Sequence, residues 1–472
     1  MKFSSVESVR WEPGSVVRWE LSAARAPSDV GVSPSENEIF HLDTFERTGT
    51  AGWLAVSLEV PTAVPPADIE RAVGRLIRRH EILRCHFTTS AVSEDPPSGP
   101  DADRYRRLRT AIDDVRCVAS EIPVTSGDGG PAPVLGGQIE QACSPLRPLS
   151  HYVASIHRAR STTLILGFDH CYVDAYSLAI IAREICADLG LDASTGAGSG
   201  EGGRADGVES VFLEHRRSEE SAVAIGDDDP RLRAWGDFLA ATDWEVPTFP
   251  LDLGVAPGDK APMRTEMHTL LDADEAAIFR KTLHRKGIRS FPALLTAAAT
   301  AVEHLGGPAR LPMVLPVRTK FGQHHLEAVG WMVGNAPILV HTDADPMRAC
   351  HLNAAALADA VGLADVGLTS VFGAFGDRMR RIRDDVFMVS YVDYNRLPIS
   401  NQVVATHISG SRPTDTAQWW FSHDPDGVHM RLRYPDTARA ARTMGDLTGL
   451  MDAGVADLAM ASESAAESAA AS

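Results

Sequence analysis

Short apolar strands alternate with amphipathic helices along most of the chain, and this alternation limits the fold to layered α/β architectures. Residues 66–79 carry apolar side chains every three or four positions, which predicts a helix. The apolar segments 152–157 and 162–168 flank the polar turn RARS and predict a β-hairpin. A second helix is predicted over residues 176–189, shortly after that hairpin. The first half of the chain therefore mixes both types of element.

The second half of the chain repeats this mixture. Asp272 can cap a helix that ends near Gly287, and Ser290 opens another helix with Pro292 just inside it. Three buried strands are also predicted, at residues 311–317, 336–340 and 386–392.

A bridge rich in proline and aspartate, near residues 243–262, separates the two halves. We therefore expect an α/β protein (α+β, two-layer) with an N-terminal lobe over residues 1–245 and a C-terminal lobe over residues 246–455. Residues 456–472 are mostly alanine, serine and glutamate, and we expect them to form a disordered tail.

Charge and cysteine usage exclude several classes of protein. The 45 basic and 63 acidic residues give a net charge of −18, whereas nucleic-acid binders carry a basic face. None of the six cysteines forms a C-x-x-C pair, so we expect no structural zinc site and reduced thiols. The N-terminus has no signal-like apolar region, and the apolar runs are shorter than the roughly 18 residues that span a membrane. We therefore expect a cytoplasmic protein without a transmembrane segment.

Common catalytic signatures are absent from the sequence. It contains no G-x-S-x-G, H-E-x-x-H or P-loop motif. The segment GSGEGG at residues 198–203 has dinucleotide-like spacing but follows no strand, so we interpret it as a linker. The adjacent His324 and His325 lack a supporting carboxylate pattern, which favours a surface loop over a metal site.

The segment LILGFDHCYVDAYSL, residues 164–178, is the strongest candidate for a functional site. An apolar strand ends in Asp169 and His170, and Asp174 follows just before a helix. A histidine at the end of a buried strand is rigidly held and can face a cleft, as a general base must. From the spacing alone, two interpretations remain open: a general base at His170, or a structural histidine followed by a plain helix cap at Asp174.

The same segment resembles the H-H-x-x-x-D-G signature of the condensation-domain acyltransferase superfamily. That superfamily includes nonribosomal peptide condensation domains, chloramphenicol acetyltransferase and the polyketide-associated (PapA-type) acyltransferases of mycobacteria. Other segments resemble the family in the same order along the chain, and two of them, the first segment and the phrase GWMVGNAPILV, are similar to its trehalose-lipid branch in particular. They are WEPGSVVRW (11–19), RRHEILRCHF (78–87), LPVRTKF (315–321), VGWMVGNAPILV (329–340) and FMVSYVDYN (387–395).

The resemblance implies two chloramphenicol acetyltransferase-like lobes arranged as a V, with a central tunnel between them. It implies that His170 is the catalytic base and that Asp174, the other catalytic residue of the signature, has a structural role and pairs with an arginine. Arg79, Arg84 and Arg318 are the candidates, and the sequence does not choose among them.

Two residues depart from the signature. Asp169 stands at the position of the first histidine, as it does in the trehalose-lipid branch. Ala175 stands at the position of the glycine, whose lack of a side chain gives the loop room. A distorted loop at Ala175 would favour a non-catalytic member of the family.

The resemblance also suggests residues that contact substrate. Asp169, Trp331, Asn335 and Ser390 are the candidates, and packing is the alternative for each of them. No cofactor is implied, because the acyl thioester of coenzyme A or of a phosphopantetheine carrier is itself the substrate. A basic patch of Arg104, Arg106, Arg107 and Arg109 could receive such an anionic donor, and a solvated helix face is the alternative.

We therefore expect a free-standing acyltransferase that forms an ester on a hydroxyl of a sugar or alcohol in lipid or polyketide-type metabolism. Its partners would be the thioester donor and a small hydroxyl or amine acceptor. Two alternatives remain: a stand-alone condensation enzyme that forms an amide or ester on a carrier-bound substrate, and a non-catalytic recruitment protein. The acyl chain, the acceptor, the type of donor and the oligomeric state are left open by the sequence.

Overall fold

A computed structural model of the chain describes residues 1–50, 52–89, 102–122, 132–191, 211–221, 225–319, 327–397 and 403–470. The segment at residues 198–203 and the pair His324 and His325, interpreted above as loop, lie outside the described residues.

The described chain contains strands and helices in alternation. The strands are β1 (Lys2–Ser5), β2 (Ser15–Ser22), β3 (Ser28–Asp29), β4 (Trp53–Val60), β5 (Cys85–Thr89), β6 (Tyr105–Arg109), β7 (Arg116–Ile122), β8 (Tyr152–His157), β9 (Thr162–Asp169), β10 (Met263–Asp272), β11 (Arg310–Arg318), β12 (Val333–His341), β13 (Val389–Asp393), β14 (Val404–Ser409), β15 (Gln418–Asp424) and β16 (Gly427–Pro435). The helices are α1 (Glu36–Thr48), α2 (Pro66–Arg79), α3 (Ala132–Ala142), α4 (Ala175–Asp188), α5 (Val211–Glu220), α6 (Pro230–Ala241), α7 (Ala273–Arg285), α8 (Ser290–His304), α9 (Pro346–Leu363), α10 (Leu368–Phe375) and α11 (Ala438–Ala470). The predicted mixed α/β class is confirmed.

The chain forms two compact units that are not simple halves of the sequence. The first unit comprises residues 1–223, 320–332 and 396–411, and the second comprises the remaining segments up to residue 472. The boundary therefore lies near Val223 instead of residue 245. Two later segments join the first unit, one of them because β14 pairs with β1 and β4.

The first unit is built around a seven-stranded sheet in the order β1-β14-β4-β9-β8-β2-β7. Helices α2 and α4 pack on one face of this sheet with the larger apolar core, and α3 packs on the other face with a smaller one. Every residue of β9 is buried, because the strand lies between β4 and β8 and is covered on both faces. The end of β9 is therefore a rigid point from which to present a side chain.

The second unit contains a four-stranded sheet in the order β10-β16-β15-β13 and a two-stranded ladder of β11 and β12. Helices α7, α8, α9 and α11 bury their apolar faces in its core, where Trp419 and Phe421 are fully buried. This core is separate from that of the first unit, as expected for a two-domain chain.

Most of the predicted elements occur within one or two residues of their expected ends. The helix predicted over residues 66–79 and the hairpin of β8 and β9 are confirmed. Residues 81–84 form a turn of 3₁₀ helix, which leads directly into β5. Helix α11 continues to Ala470 and buries Val455 and Leu458, so residues 456–470 of the segment expected to be a disordered tail lie within a helix.

Three of the four arginines at residues 104–109 are held in ion pairs, so the segment is not an open basic patch. Arg107 is fully buried, with its guanidinium donating to both carboxylate oxygens of Glu38. Arg104 pairs with Asp43 and Glu46, and Arg109 pairs with Glu81. The segment is a strand, so the alternative of a solvated helix face was also wrong.

The search for membrane-spanning helices covers only the described residues. No single helix there has the length and apolar character needed to cross a membrane. Helices α9 and α10 meet the criterion only as a pair, with a bend of 93° between them.

Candidate functional site

The candidate site of the first unit lies where β9 ends. Asp169 closes the strand, residues 170–172 form one turn of 3₁₀ helix, and α4 begins at Ala175. The backbone N–H of His170 donates to the carbonyl of Gly52 at 2.9 Å, which continues the β4–β9 pairing by one residue. The backbone under His170 is therefore fixed by the sheet while its side chain remains partly exposed.

The surroundings of His170 favour its neutral form. Burial is the main cause that lowers the pKa of His170 to about 4, and the positive charge carried by a protonated His41 adds to it. The backbone carbonyl of His170 itself, Asp169 and Asp174 act in the opposite direction with smaller effects on this pKa. At neutral pH the imidazole therefore has a free lone pair, as a proton acceptor requires.

An aromatic ring lies against the imidazole. The centroids of the His170 and Trp331 rings are 4.1 Å apart, with 36° between the ring planes. Trp331 belongs to the segment 320–332 that joins the first unit, and its side chain is partly exposed. The indole thus covers one face of the candidate base. Trp331, which was predicted to contact substrate, therefore lies beside His170, the predicted base.

Asp169 is the most buried charged group of the site, with 1% of its surface exposed. Its Oδ1 atom accepts from the backbone N–H of Cys171 at 2.9 Å. The same oxygen lies 2.9 Å from Nε2 of His41, a residue of α1. Asp169 is thus buried against the side chain of His41, and its predicted role as a substrate contact stays a prediction.

Asp174 caps α4 and belongs to a buried hydrogen-bond network. Its Oδ1 atom accepts from the backbone N–H of Ser177 and lies 2.7 Å from the Ser177 hydroxyl. That hydroxyl accepts from the N–H of Gly330 at 3.0 Å and is 2.9 Å from the Gly330 carbonyl oxygen. The network thereby fixes the start of α4 to the residue that precedes Trp331.

Ala175 is the first residue of α4. Within the described residues the non-glycine positions with positive φ are Leu149, Asp243 and Trp244, so Ala175 has an ordinary backbone conformation. An alanine is therefore accommodated at the signature glycine position without backbone strain.

The three candidate arginines have different surroundings. Arg79 pairs with Glu184 at 2.7 Å and with Asp188. Arg84 donates to the carbonyl of Thr110 at 2.9 Å. Arg318 is the last residue of β11, in the second unit. The observed partners of Arg79 and Arg84 thus differ from the predicted partner, Asp174.

Asn335 and Ser390 belong to the second unit. Asn335 is buried in β12, opposite Pro316 of β11. Ser390 lies in β13 beside Trp420 of β15, which in turn lies opposite Arg431 of β16. The guanidinium of Arg431 stacks on the Trp420 ring at 4.0 Å from its centroid. The predicted roles of Asn335 and Ser390 as substrate contacts stay predictions.

One group of potential metal ligands occurs in the described residues, formed by His41, Asp169 and Cys171, whose donor atoms lie within 4.8 Å of one another. Burial raises the pKa of the Cys171 thiol well above its ordinary value, so the sulfur stays protonated and is a poor ligand. The carboxylate already accepts the Cys171 N–H. We therefore interpret the group as a buried polar cluster, in which Asp169 accepts from the Cys171 N–H and lies beside the imidazole of His41.

Sequence reasoning did not identify His41 or Ser177. Asp169 itself was an indirect signal for His41, because a buried carboxylate requires a nearby cation or several donors. Nothing in a single sequence indicates which of the 17 histidines supplies it. For Ser177 the signal was an aspartate helix cap followed three residues later by a hydroxyl.

Comparisons with known proteins identify related sequences. A stretch of 125 residues is 29% identical to the trehalose-2-sulfate acyltransferase PapA2 of Mycobacterium tuberculosis and of Mycobacterium bovis. It covers 26% of this chain and 26% of PapA2, so the chain matches about a quarter of the length of these relatives. A longer stretch of 329 residues is 21% identical to 4% of a probable non-canonical nonribosomal peptide synthetase, CymA, of Salinispora arenicola. No protein-family profile matches the chain.

Solved structures show the fold more clearly. The structure of the PapA2 acyl transferase matches with a TM-score of 0.83 at 19% identity, over 97% of this chain and 100% of that one. The first condensation domain of the calcium-dependent antibiotic synthetase matches with a TM-score of 0.64 at 14% identity, over 92% and 98%. The X-domain from teicoplanin biosynthesis matches with a TM-score of 0.65 at 17% identity, over 93% and 97%. The condensation-like fold implied by the sequence motifs is thus confirmed.

Proposed function

Because the chain has the fold shared by PapA2 and the condensation domains, we propose that it is an acyltransferase that moves an acyl group from a thioester to a hydroxyl of a sugar or another alcohol. The observation that carries the proposal is the neutral, partly exposed imidazole of His170 at the end of β9, covered by Trp331. The name of the matched relatives, trehalose-2-sulfate acyltransferase, favours a sugar acceptor.

The reaction needs one base and no covalent enzyme intermediate. The imidazole of His170 accepts the proton of the acceptor hydroxyl while the oxygen attacks the thioester carbonyl carbon. The resulting tetrahedral oxyanion collapses, the C–S bond breaks, and the thiolate receives the proton from His170. An ester and a free thiol are formed, and the enzyme returns to its starting state. A positioned base of this kind contributes roughly 10²–10⁴-fold to the rate.

The donor is the thioester of coenzyme A or of a phosphopantetheine-bearing carrier protein. Both donors are substrates that leave as thiols, so the proposal includes no resident cofactor. Lipid or polyketide-type metabolism in the cytoplasm is the proposed setting, since such thioesters are made there.

Thiol release from a panel of acyl-CoAs, with sugar and alcohol acceptors, tests the proposal. The wild type should release thiol only when an acceptor is present, and His170→Ala should abolish that release. His284→Ala, the same change at an exposed position of α7, is the matched control and should behave as the wild type. Acceptor-dependent release that survives His170→Ala would refute the role of His170.

A stand-alone condensation enzyme is the second candidate, and the CymA match over 69% of this chain favours it. The same panel with acyl-loaded carrier protein distinguishes the two, because condensation leaves an adduct on the carrier whereas ester formation gives a free product. The third alternative, a non-catalytic recruitment protein, predicts carrier binding without turnover. The ordinary backbone at Ala175 weighs against it, since the loop is not distorted there.

A further inference from the structure

The carboxylate of Asp169 needs a compensating group that the signature does not supply. Its side chain is 1% exposed, and a buried charge is stable only when it is paired and hydrogen-bonded. The Cys171 N–H supplies one hydrogen bond. The imidazole of His41 lies beside it, with Nε2 2.9 Å from Asp169 Oδ1 and 9% of the side chain exposed.

His41 is also part of the aromatic cluster around the base. Its ring centroid lies 6.3 Å from that of His170 and 5.8 Å from that of Trp331, and it meets the indole edge-on. His41, His170 and Trp331 therefore form one group of three rings, with Asp169 beneath it. All four residues belong to the first unit.

Helix α1 holds His41 firmly in this position. Ser35 and Glu38 form a capping box at the start of the helix. Each carboxylate oxygen of Glu38 also accepts a hydrogen bond from the guanidinium of the buried Arg107. Removing one partner of such a buried pair costs about 3–5 kcal/mol, so the helix is strongly anchored one turn before His41.

We propose that His41 is a positioning residue of the site, which pairs with Asp169 and controls the protonation of His170. A positive charge on His41 opposes a second one on His170, whose ring lies 6.3 Å away. This inference rests on the proposed function, because it assigns His170 the role of the base.

A positive charge on His41 affects the two proton transfers of the reaction in opposite directions. It lowers the basicity of His170, which opposes removal of the acceptor's proton but prevents solvent from protonating the base beforehand. Once His170 has taken the acceptor's proton, the neighbouring positive charge favours passing that proton on to the leaving thiolate. The titratable groups that face His170 are His41 from α1, Asp169 from β9 and Asp174 at the start of α4.

The test measures the pKa of His170 directly, by NMR titration of histidine-labelled full-length protein. The His170 resonance is identified by its absence from the spectrum of His170→Gln. Glutamine cannot be protonated, so in His41→Gln the pKa of His170 should rise from about 4. Coulomb's law at the 6.3 Å ring separation predicts a rise of about 0.5 to 2.

Two further variants separate the charge of His41 from its packing. His41→Lys keeps a cation for Asp169, so the pKa of His170 should stay well below 6.5. His80→Gln is the matched control, because His80 forms a similar pair with Glu184 at 2.8 Å elsewhere in the first unit. It should leave the pKa of His170 unchanged. If acyl transfer is observed, the acid limb of kcat/KM should move in parallel with the pKa of His170.

An unchanged pKa of His170 in folded His41→Gln would overturn the proposal. If His41→Gln does not fold, His41→Lys alone decides, and a pKa of His170 at or above 6.5 in that variant would refute the role of the charge. Absence of acyl transfer with every donor would refute the proposed function, whereas the titration would still decide whether His41 controls the protonation of His170.

Discussion

The indole of Trp331 lies over the imidazole of His170, with ring centroids 4.1 Å apart and planes inclined by 36°. This contact removes water from one face of the imidazole while the side chain keeps some exposure. It therefore contributes to the burial that lowers the pKa of His170. A large ring in this place also restricts the directions from which an acceptor can reach the base.

The pH dependence of catalysis follows from the pKa of His170. The base acts in its neutral form, so activity is lost as the pH falls through the pKa of about 4. We expect kcat/KM to stay constant from neutral pH down to about pH 5, and to fall about tenfold per pH unit below pH 4. Initial rates of thiol release between pH 3.5 and pH 8 measure this profile.

Acid unfolding must be separated from titration of the base in that experiment. Circular dichroism at each pH identifies the range in which the protein is folded, and only rates from that range are used. An acid limb with its midpoint near 6.5, the ordinary pKa of histidine, would contradict the prediction.

Trp331→Ala should uncover His170 without disturbing the sheet beneath it. Water would then reach the imidazole, so the pKa of His170 should rise toward 6.5. Loss of the ring that limits the approach of the acceptor should lower kcat/KM by about 10- to 100-fold. Steady-state kinetics measure this change, with Trp331→Phe as the control that keeps an aromatic ring. Equal kinetics in the alanine variant and the wild type would show that the indole has no part in the reaction.

Local sequence patterns predicted the part of the site that is contiguous in the chain. The apolar run of β9, its end at Asp169 and His170, and the cap of α4 at Asp174 are all local features. A run of buried residues predicts a strand and an aspartate before a helix predicts a cap, whatever the rest of the fold does.

Tertiary contacts were the part that local patterns could not predict. His41 lies 128 positions before Asp169, and Trp331 lies 161 positions after His170. The family motifs suggested Trp331 as a site residue but gave no reason for His41. Arg107 gave a misleading signal, because a run of arginines suggests an exposed patch until a buried partner such as Glu38 is known. Similarly, composition suggested disorder after residue 455, where α11 buries Leu458 against the core of the second unit.

Ser177→Ala should loosen the connection between α4 and the segment that carries Trp331. The hydroxyl accepts from the buried N–H of Gly330, and alanine would leave that donor without its partner. We expect a loss of about 1–3 kcal/mol in the free energy of unfolding. Urea unfolding measures the loss, and Ser120→Ala, at an exposed position of β7, is the control. A stability equal to that of the wild type would mean that the network does not stabilise the first unit.

Gly330→Ala should disturb the same segment by a different route. A Cβ atom at this position would lie 2.1 Å from a ring carbon of Phe212, which is fully buried and cannot move freely. We expect a loss of about 1–3 kcal/mol in stability from this overpacking, together with a displacement of Trp331. Gly137→Ala, where a Cβ atom meets no neighbour within 4 Å, is the matched control. Tryptophan fluorescence measures the displacement of Trp331, and urea unfolding measures the stability. If Gly330→Ala were as stable as Gly137→Ala, the predicted clash would be contradicted.

His151 should make the folded protein sensitive to mild acid. The ring is buried between Phe168 and Tyr172, with Nε2 2.7 Å from the carbonyl oxygen of Leu83, and burial lowers its pKa from 6.5 to about 4. As the pH falls from 6.5 to 4, the unfolded chain therefore binds a proton at this residue that the folded chain does not bind. The free energy of unfolding should fall over this range by up to about 3 kcal/mol on account of His151.

His151→Gln keeps an N–H for the Leu83 carbonyl but does not titrate, so it should flatten that part of the stability profile. Urea unfolding at pH 7, 6, 5 and 4 measures the slope, with exposed His284→Gln as the control. Parallel profiles for His151→Gln and the wild type would mean that His151 has the same pKa in the folded and the unfolded chain, since only then does its titration leave the folding equilibrium unchanged.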